Sequence, residues 1–282
     1  MENTYKIIID SCGELPDEKK ADPHFEHAPL ELVVGDYRTW DDESFDQADF
    51  LKRVAASPVC PKSACPSPER YMQAMDTPDG TDVYVVTLSG ALSGSYNSAE
   101  LAKRMYLEEN PGRNVHVFDS CSASCGMTQI AFLIESLAKL GTAFDEIVKK
   151  VSAYRDDMTT YFVLDNLDAL RKNGRLTGLK SLVASTLSIK PVLSSTIKGE
   201  IQQLGQAVGM KKALAKMVDL IAKEKPDAKD RSLMITHCNA PQRAEYVRAL
   251  CEKVLGYRSV LIMNTAGVST LYAGDGGIIV TL

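Results

Sequence analysis

Three short apolar runs constrain the fold of this chain more than any other feature: YKIIID (5–10), DVYVVT (82–87) and VHVFDS (115–120). Each has strand length and little alternation, as expected of strands buried on both faces. Helix-like stretches follow the last two: YNSAELAKRM (96–105), and a segment from about Ser124 to Leu140. Strand and helix in this alternation require crossovers, which make neighbouring strands parallel and place helices on both faces of the sheet. Between the first and second strands, PLELVVGDYRTW (29–40) reads as a hairpin turning at Gly35-Asp36. FDQADFLKRVAAS (45–57) is amphipathic and helical. Ser67-Pro68-Glu69 starts a further helix, with a hydroxyl cap, a first-turn proline and an acid.

The pattern changes near residue 157. TTYFVL (159–164) and LSIKPVL (187–193) are strand-like, and GEIQQLG (199–205) is the return arm of a hairpin turning at Lys198-Gly199. A helix over about 209–224, the strand SLMITHC (232–238), the helix APQRAEYVRALCEKVLG (240–256) and the strands SVLIMNT and GGIIVTL complete the chain. Hairpin and crossover pairing together predict a mixed sheet. The expected fold class is therefore α/β with two domains. Residues 1–156 form a three-layer parallel-sheet domain carrying the ligand site, and 157–282 form a mixed-sheet α/β domain.

The ligand site is expected at LSGALSGSYNSA (88–99), which joins the strand DVYVVT to a helix. Ligands of open parallel sheets bind beyond the carboxyl ends of strands. A helix amino terminus adds free N–H groups and partial positive charge, and Ser93 and Ser95 add hydroxyls, so the join suits a carboxylate or phosphate. A helix cap is the plainer role for Ser93. A nucleophile is the sharper one, but Gly90-Ala91-Leu92-Ser93-Gly94 is not Gly-x-Ser-x-Gly. A base would have to come from His24, His27, His116 or His237. Asp10 and Asp119 end strands beside serines, as caps or metal ligands. AGDGG (273–277) is a turn signal.

Composition removes other classes. A net charge of −5 without a dense Lys/Arg cluster argues against nucleic acid. No apolar run approaches the roughly 20 residues that span a bilayer, and MENTYKIIIDS is not a signal region. A cytoplasmic protein without an integral membrane segment is expected. The seven cysteines lack zinc spacing and are expected to be reduced. No phosphate-binding glycine loop occurs. No metal and no cofactor is expected.

Taken in order, these segments resemble the DegV family. IIIDSCGELP (7–16) is similar to its strand followed by Asp-Ser-x-x-Asp-Leu-Pro, and PKSACPSPERY (61–71) to its Lys-Thr-Ser-Gln-Pro-Ser-Pro. LSGALSGSYNSA resembles Ile-Ser-Ser-x-Leu-Ser-Gly-Thr-Tyr-x-Ser-Ala, and VFDSCSASCGM (117–127) resembles Asp-Ser-x-x-Ala-Ser-x-Gly. NGRLTG (173–178), LSIKPVL and KGEI (198–201) are similar to Gly-Gly-Arg-Ile, Leu-x-Ile-Lys-Pro-Ile-Leu and Asp-Gly-Glu-Ile. The resemblance implies a carrier, not an enzyme, that binds a long-chain fatty acid and presents its carboxylate to a separate fatty acid kinase subunit, which makes an acyl phosphate. It places the carboxylate at Ser63, where the family usually has threonine, and at Ser93. The amide of Gly94 is a third candidate donor. Tyr272 stands where the family has histidine. Around VGMKKAL (208–214), where the family is often basic, this chain has Lys211 and Lys212. Two other readings remain open at this stage: a small-molecule hydrolase or transferase using Ser93, and a carrier of another anionic amphiphile.

Overall fold

A computed structural model describes residues 4–176, 188–257 and 260–282. In chain order the first half runs β1 (Tyr5–Asp10), α1 (Asp17–Lys20), β2 (Phe25–Ala28), β3 (Glu31–Val34), β4 (Tyr37–Trp40), α2 (Gln47–Ala56), β5 (Lys62–Ala64), α3 (Pro68–Met75), β6 (Asp82–Thr87), α4 (Ser95–Glu109), β7 (Val115–Asp119), α5 (Cys125–Lys139) and α6 (Phe144–Asp157). The second half runs β8 (Thr160–Val163), α7 (Asp168–Lys172), β9 (Ile189–Ser195), β10 (Ile201–Val208), α8 (Met210–Glu224), β11 (Met234–His237), α9 (Pro241–Leu255), β12 (Leu261–Asn264), α10 (Gly267–Ala273) and β13 (Ile278–Thr281).

The apolar runs of the first half form a four-stranded sheet in the order β2-β1-β6-β7, with every pair parallel. Successive side chains of a strand point to opposite faces. Ile7, Ile9, Tyr84, Val86 and Phe118 therefore pack against α5 and α6, while Ile8, Val83, Val85, Val115 and Val117 pack against α3 and α4. That two-sided burial explains why these strands read as continuous apolar runs. The second sheet is mixed, in the order β10-β9-β8-β13-β11-β12. Only β11 and β12 pair in parallel there; the other four pairings are antiparallel. Helices α8 and α9 cover it through Leu214, Met217, Val218, Ala244 and Val247.

Helix α5 lies between the sheets. Met127, Ile130 and Ile134 enter the first core. On its other side the Gln129 amide donates to the carbonyls of Ser232 and Thr281, both at 2.9 Å. α10 also crosses between the halves, because Val268 and Leu271 are buried in the first core. A division at 156/157 is our proposal for the domain boundary. It separates the two large sheets in sequence and leaves α10 as the segment of the second half that packs back on the first.

Six of these elements are not among those read from the sequence: α1, β2, β5, α6, α7 and α10. β5 joins the expected hairpin β3–β4 to make a three-stranded antiparallel sheet, β4-β3-β5, and sets Ser63 opposite Leu32. The expected strands at 187–193 and 259–265 appear as β9 and β12. Their first residues, Leu187 and Ser259, lie outside the described residues, as do Thr177 and Gly178 of the NGRLTG segment.

Candidate ligand site

The loop from Leu88 to Gly94 is fixed by the acids that end the neighbouring strands. Asp10, at the end of β1, accepts the Leu88 N–H at 2.7 Å. Asp119, at the end of β7, accepts the N–H groups of Gly90 at 3.0 Å and Cys121 at 2.9 Å. A Cβ at position 90 would stand 2.8 Å from the Asp119 carboxylate, so this approach requires glycine. The two strand-terminal acids thus hold loop amides. Among the described residues no group of three or more His, Cys, Asp or Glu is placed to hold a metal ion.

The second half closes over this loop. The Ser89 hydroxyl donates to the Gly199 carbonyl at 2.9 Å. Gly199 has φ +74°, and a Cβ there would lie 2.8 Å from the Cys121 Cα. The β9–β10 turn therefore sits directly on the loops that follow β6 and β7. Beneath it lies a cavity with about 800 Å³ of empty space, part of it open to solvent. Its apolar wall comes from the mixed sheet, two helices and the loop after β6: Leu88, Phe162, Leu164, Leu170, Val268 and Ile279.

Polar groups line the cavity as well. Ser63, on β5, and Tyr272, on α10, have hydroxyl oxygens 3.1 Å apart. Both line the cavity together with Ser93 and Arg175. The Arg175 guanidinium lies 5.4 Å from the centroid of the Tyr272 ring. Its Nε donates to the Leu92 carbonyl at 3.0 Å, joining it to the Ser93 loop. Asn173, two residues before it, donates to the Pro61 carbonyl at 2.9 Å, which ties the arginine's loop to the approach of β5. The sequence reading supplied hydroxyls and amides alone; the cavity also holds this cation. Arg175 lies in the NGRLTG segment, to whose arginine the sequence reading assigned no role.

Ser93 is not the cap of α4. That position belongs to Gly94, and no side chain makes a capping bond there. The Ser93 oxygen instead accepts the Ser95 N–H at 3.2 Å and pairs with the Ser95 hydroxyl at 3.1 Å. Gly94 is not among the cavity-lining residues; its α-carbon faces the Cys65 sulfur.

The site is short of a catalytic base. None of the four histidines lines the cavity. His24 pairs with Asp22, His27 meets the Gly13 carbonyl, His116 packs on Phe118 and His237 accepts the Ala240 N–H. A serine–histidine pair therefore does not exist at Ser93. Three buried acids lie behind the cavity wall. Burial pushes the Asp10 and Glu14 carboxyls up to about 7 and Asp41 up to about 6, against the pull of the hydrogen bonds they accept. Glu14 accepts from the Ser124 hydroxyl at 2.8 Å and from the Ala266 N–H at 3.3 Å. Asp41 accepts the Gly267 and Val268 N–H groups at 2.6 and 2.8 Å. These two acids thereby anchor the start of α10, the helix that carries Tyr272.

Fold and cavity together define an α/β protein of two large sheets and one small one, with an internal, largely apolar site that also holds hydroxyls and an arginine. The sequence matches the profile of the DegV family, described as uncharacterised protein, over residues 4–281, and the chain belongs to that family. A DegV domain-containing protein of Streptococcus pyogenes serotype M1 is 36% identical over 278 residues, covering 98% of each chain. The crystal structure of a DegV-family protein from Ruminococcus gnavus, refined with vaccenic acid, matches with a TM-score of 0.95 at 49% identity, covering 100% of both chains. The Streptococcus pneumoniae fatty acid kinase (Fak) B3 protein, loaded with linoleic acid, matches with a TM-score of 0.91 at 31% identity, covering 99% of this chain and 98% of that one. Among the described residues no helix is long and apolar enough to cross a membrane.

Proposed function

We propose that the cavity holds a long-chain fatty acid, with its carboxylate at Ser63, Ser93, Tyr272 and Arg175 and its tail along the aliphatic wall. The observation that carries this reading is the hydroxyl pair Ser63–Tyr272, 3.1 Å apart, sharing an otherwise largely apolar cavity with Ser93 and Arg175. A carboxylate taken from water needs several donors, and charge-assisted ones are the strongest. The tail supplies the driving force. About 14 buried methylenes at about 0.8 kcal/mol each give a gross term near 11 kcal/mol. Ordering costs reduce it, and micromolar or tighter affinity remains. The Gly94 amide, at the start of α4, is a further donor once a head group reaches the loop.

In this reading the protein is a carrier. It presents the carboxylate to a separate kinase subunit, which transfers a phosphoryl group to it and forms an acyl phosphate. The Fak B3 relative supports this role, and the lack of a base at Ser93 agrees with chemistry done elsewhere. Calorimetric titration with oleate should give one site per chain with micromolar or tighter affinity. Acyl phosphate should form from ATP only when a compatible kinase subunit is added. Ester hydrolysis by the protein alone, abolished by Ser93→Ala, would establish an enzyme in its place.

A further inference from the structure

Three separate segments bring polar groups to the cavity, and one side chain ties two of these segments together. Ser63 comes from β5, Tyr272 from α10 and Arg175 from the loop after α7. The Ser63 and Tyr272 hydroxyls meet at 3.1 Å, and the Arg175 guanidinium stands 5.4 Å from the Tyr272 ring centroid. Two backbone carbonyls hold that guanidinium: Leu92 accepts from Nε at 3.0 Å, and Asn173 accepts from Nη1 at 2.6 Å. The Asn173 side chain reaches the other way. Its Nδ2 donates at 2.9 Å to the carbonyl of Pro61, which leads into β5, and at 2.9 Å to the carbonyl of Ala169, within α7. The contacts close a ring that runs from Ser63 through Tyr272, Arg175, Asn173 and Pro61 back to Ser63.

We propose that Asn173 is a positioning residue for the head group, fastening the loop of Arg175 to the approach of β5 so that the guanidinium stays beside the Ser63–Tyr272 pair. The inference rests on the reading of the cavity as a fatty-acid site. An arginine side chain loses much rotamer freedom when it is confined to one geometry. A loop fastened before the ligand arrives has already lost it, and preorganised donors bind more tightly for that reason. The guanidinium has further N–H groups beyond the two that the carbonyls take, and a carboxylate accepts them as charge-assisted bonds. Removing the Asn173 amide leaves its backbone carbonyl on Nη1. Arginine and loop then stay together, and what is lost is their register against β5.

A local role competes with this one. Asn173 is the C-cap of α7, and its bond to Ala169 satisfies a carbonyl of that helix. Capping acts on stability and treats the ionised and neutral forms of a ligand alike. Positioning acts on the anion, because a cation favours the charged form of a nearby carboxylate. Among the described residues Arg175 and Glu200 are the charged members of the cavity lining, and a substitution at Asn173 changes neither. The ionisation of the bound ligand therefore separates the two roles.

Oleate labelled with carbon-13 at its carboxyl is bound to the full chain and to Asn173→Ala, and its resonance is followed as pH falls. Oleate affinity is measured by calorimetry at neutral pH on the same proteins. Asn173→Ala should lower that affinity by roughly three- to tenfold. The loss should fall on the anion, so the bound carboxyl should titrate roughly 0.5–1 unit higher than in the wild type, the same factor on a logarithmic scale. In an Arg175→Gln background, Asn173→Ala should cost less than about twofold, since the group it positions is gone. Asn173→Leu removes the donors while filling the space and should behave as Asn173→Ala does. An unmoved carboxyl titration, or an equal loss of affinity with and without Arg175, overturns the positioning role and leaves Asn173 as a helix cap. Absence of oleate binding by the wild type removes the fatty-acid reading itself.

Discussion

The Tyr272 hydroxyl meets Ser63 across 209 residues of sequence, and such a meeting is what a head-group site requires of this chain. Tyr272→Phe keeps the ring over which Arg175 sits and removes only the hydroxyl. Oleate affinity measured by calorimetry should fall by roughly 0.5–1.5 kcal/mol. Tyr272→His should preserve binding and strengthen it at lower pH, where an imidazolium faces the carboxylate. Ser93→Ala should cost roughly 1–3 kcal/mol of affinity, with little effect on stability because Gly94 is the cap of α4. Unchanged affinity in Ser93→Ala confines that serine to its local bond with Ser95. The serines were legible in the sequence, because a hydroxyl- and glycine-rich join between strand and helix is a local pattern. Arg175 and the bond between Ser63 and Tyr272 were not, because each depends on segments brought together only by the fold.

Helix α10 shows what an element owes to distant residues. Its sequence, GVSTLYA, contains a glycine, two β-branched residues and no acid in the first turn, so local propensity does not announce it. Asp41 supplies the missing acceptor for its first two N–H groups from after β4. Gln47, on α2, donates to the Thr265 carbonyl at 3.0 Å and to the Thr270 hydroxyl at 2.9 Å. Asp41→Ala leaves two buried amides without their partner and should lower unfolding free energy by roughly 1–3 kcal/mol, read by urea denaturation. Because α10 carries Tyr272, the same variant should also weaken oleate binding; full retention of affinity would separate the helix start from the site. β5 escaped the sequence for a related reason: three residues, KSA, have no period of their own, and their pairing with β3 is what makes them a strand. By contrast β1, β6 and β7 were readable because burial on both faces imposes apolar residues along their length.

At the scale of the molecule, two α/β halves meet on a cavity, and the acids behind it set a pH response. Burial raises Asp10, Glu14 and Asp41 above their unfolded values. The stability they contribute is present in full at low pH and is lost as pH rises through about 6 to 7. Burial lowers His27, His116 and His237, with His116 at about 4, so they oppose that gain once pH falls below the ordinary histidine range. The melting temperature of the lipid-free protein should therefore rise from pH 8 to about 6.5 and level off or fall below it. A monotonic fall from pH 8 downward would show that the three acids are solvated. The alternation of strands and helices made the two-sheet architecture legible in advance. The cavity was not, since its wall draws on the loop after β6 and on β8, β13, α7 and α10 at once. Its occupant is the central claim, and denaturing mass spectrometry of freshly purified protein tests it most directly. A long-chain fatty acid released in near-stoichiometric amount is the predicted result; no lipid on extraction, together with no uptake of added palmitate or oleate, would contradict it.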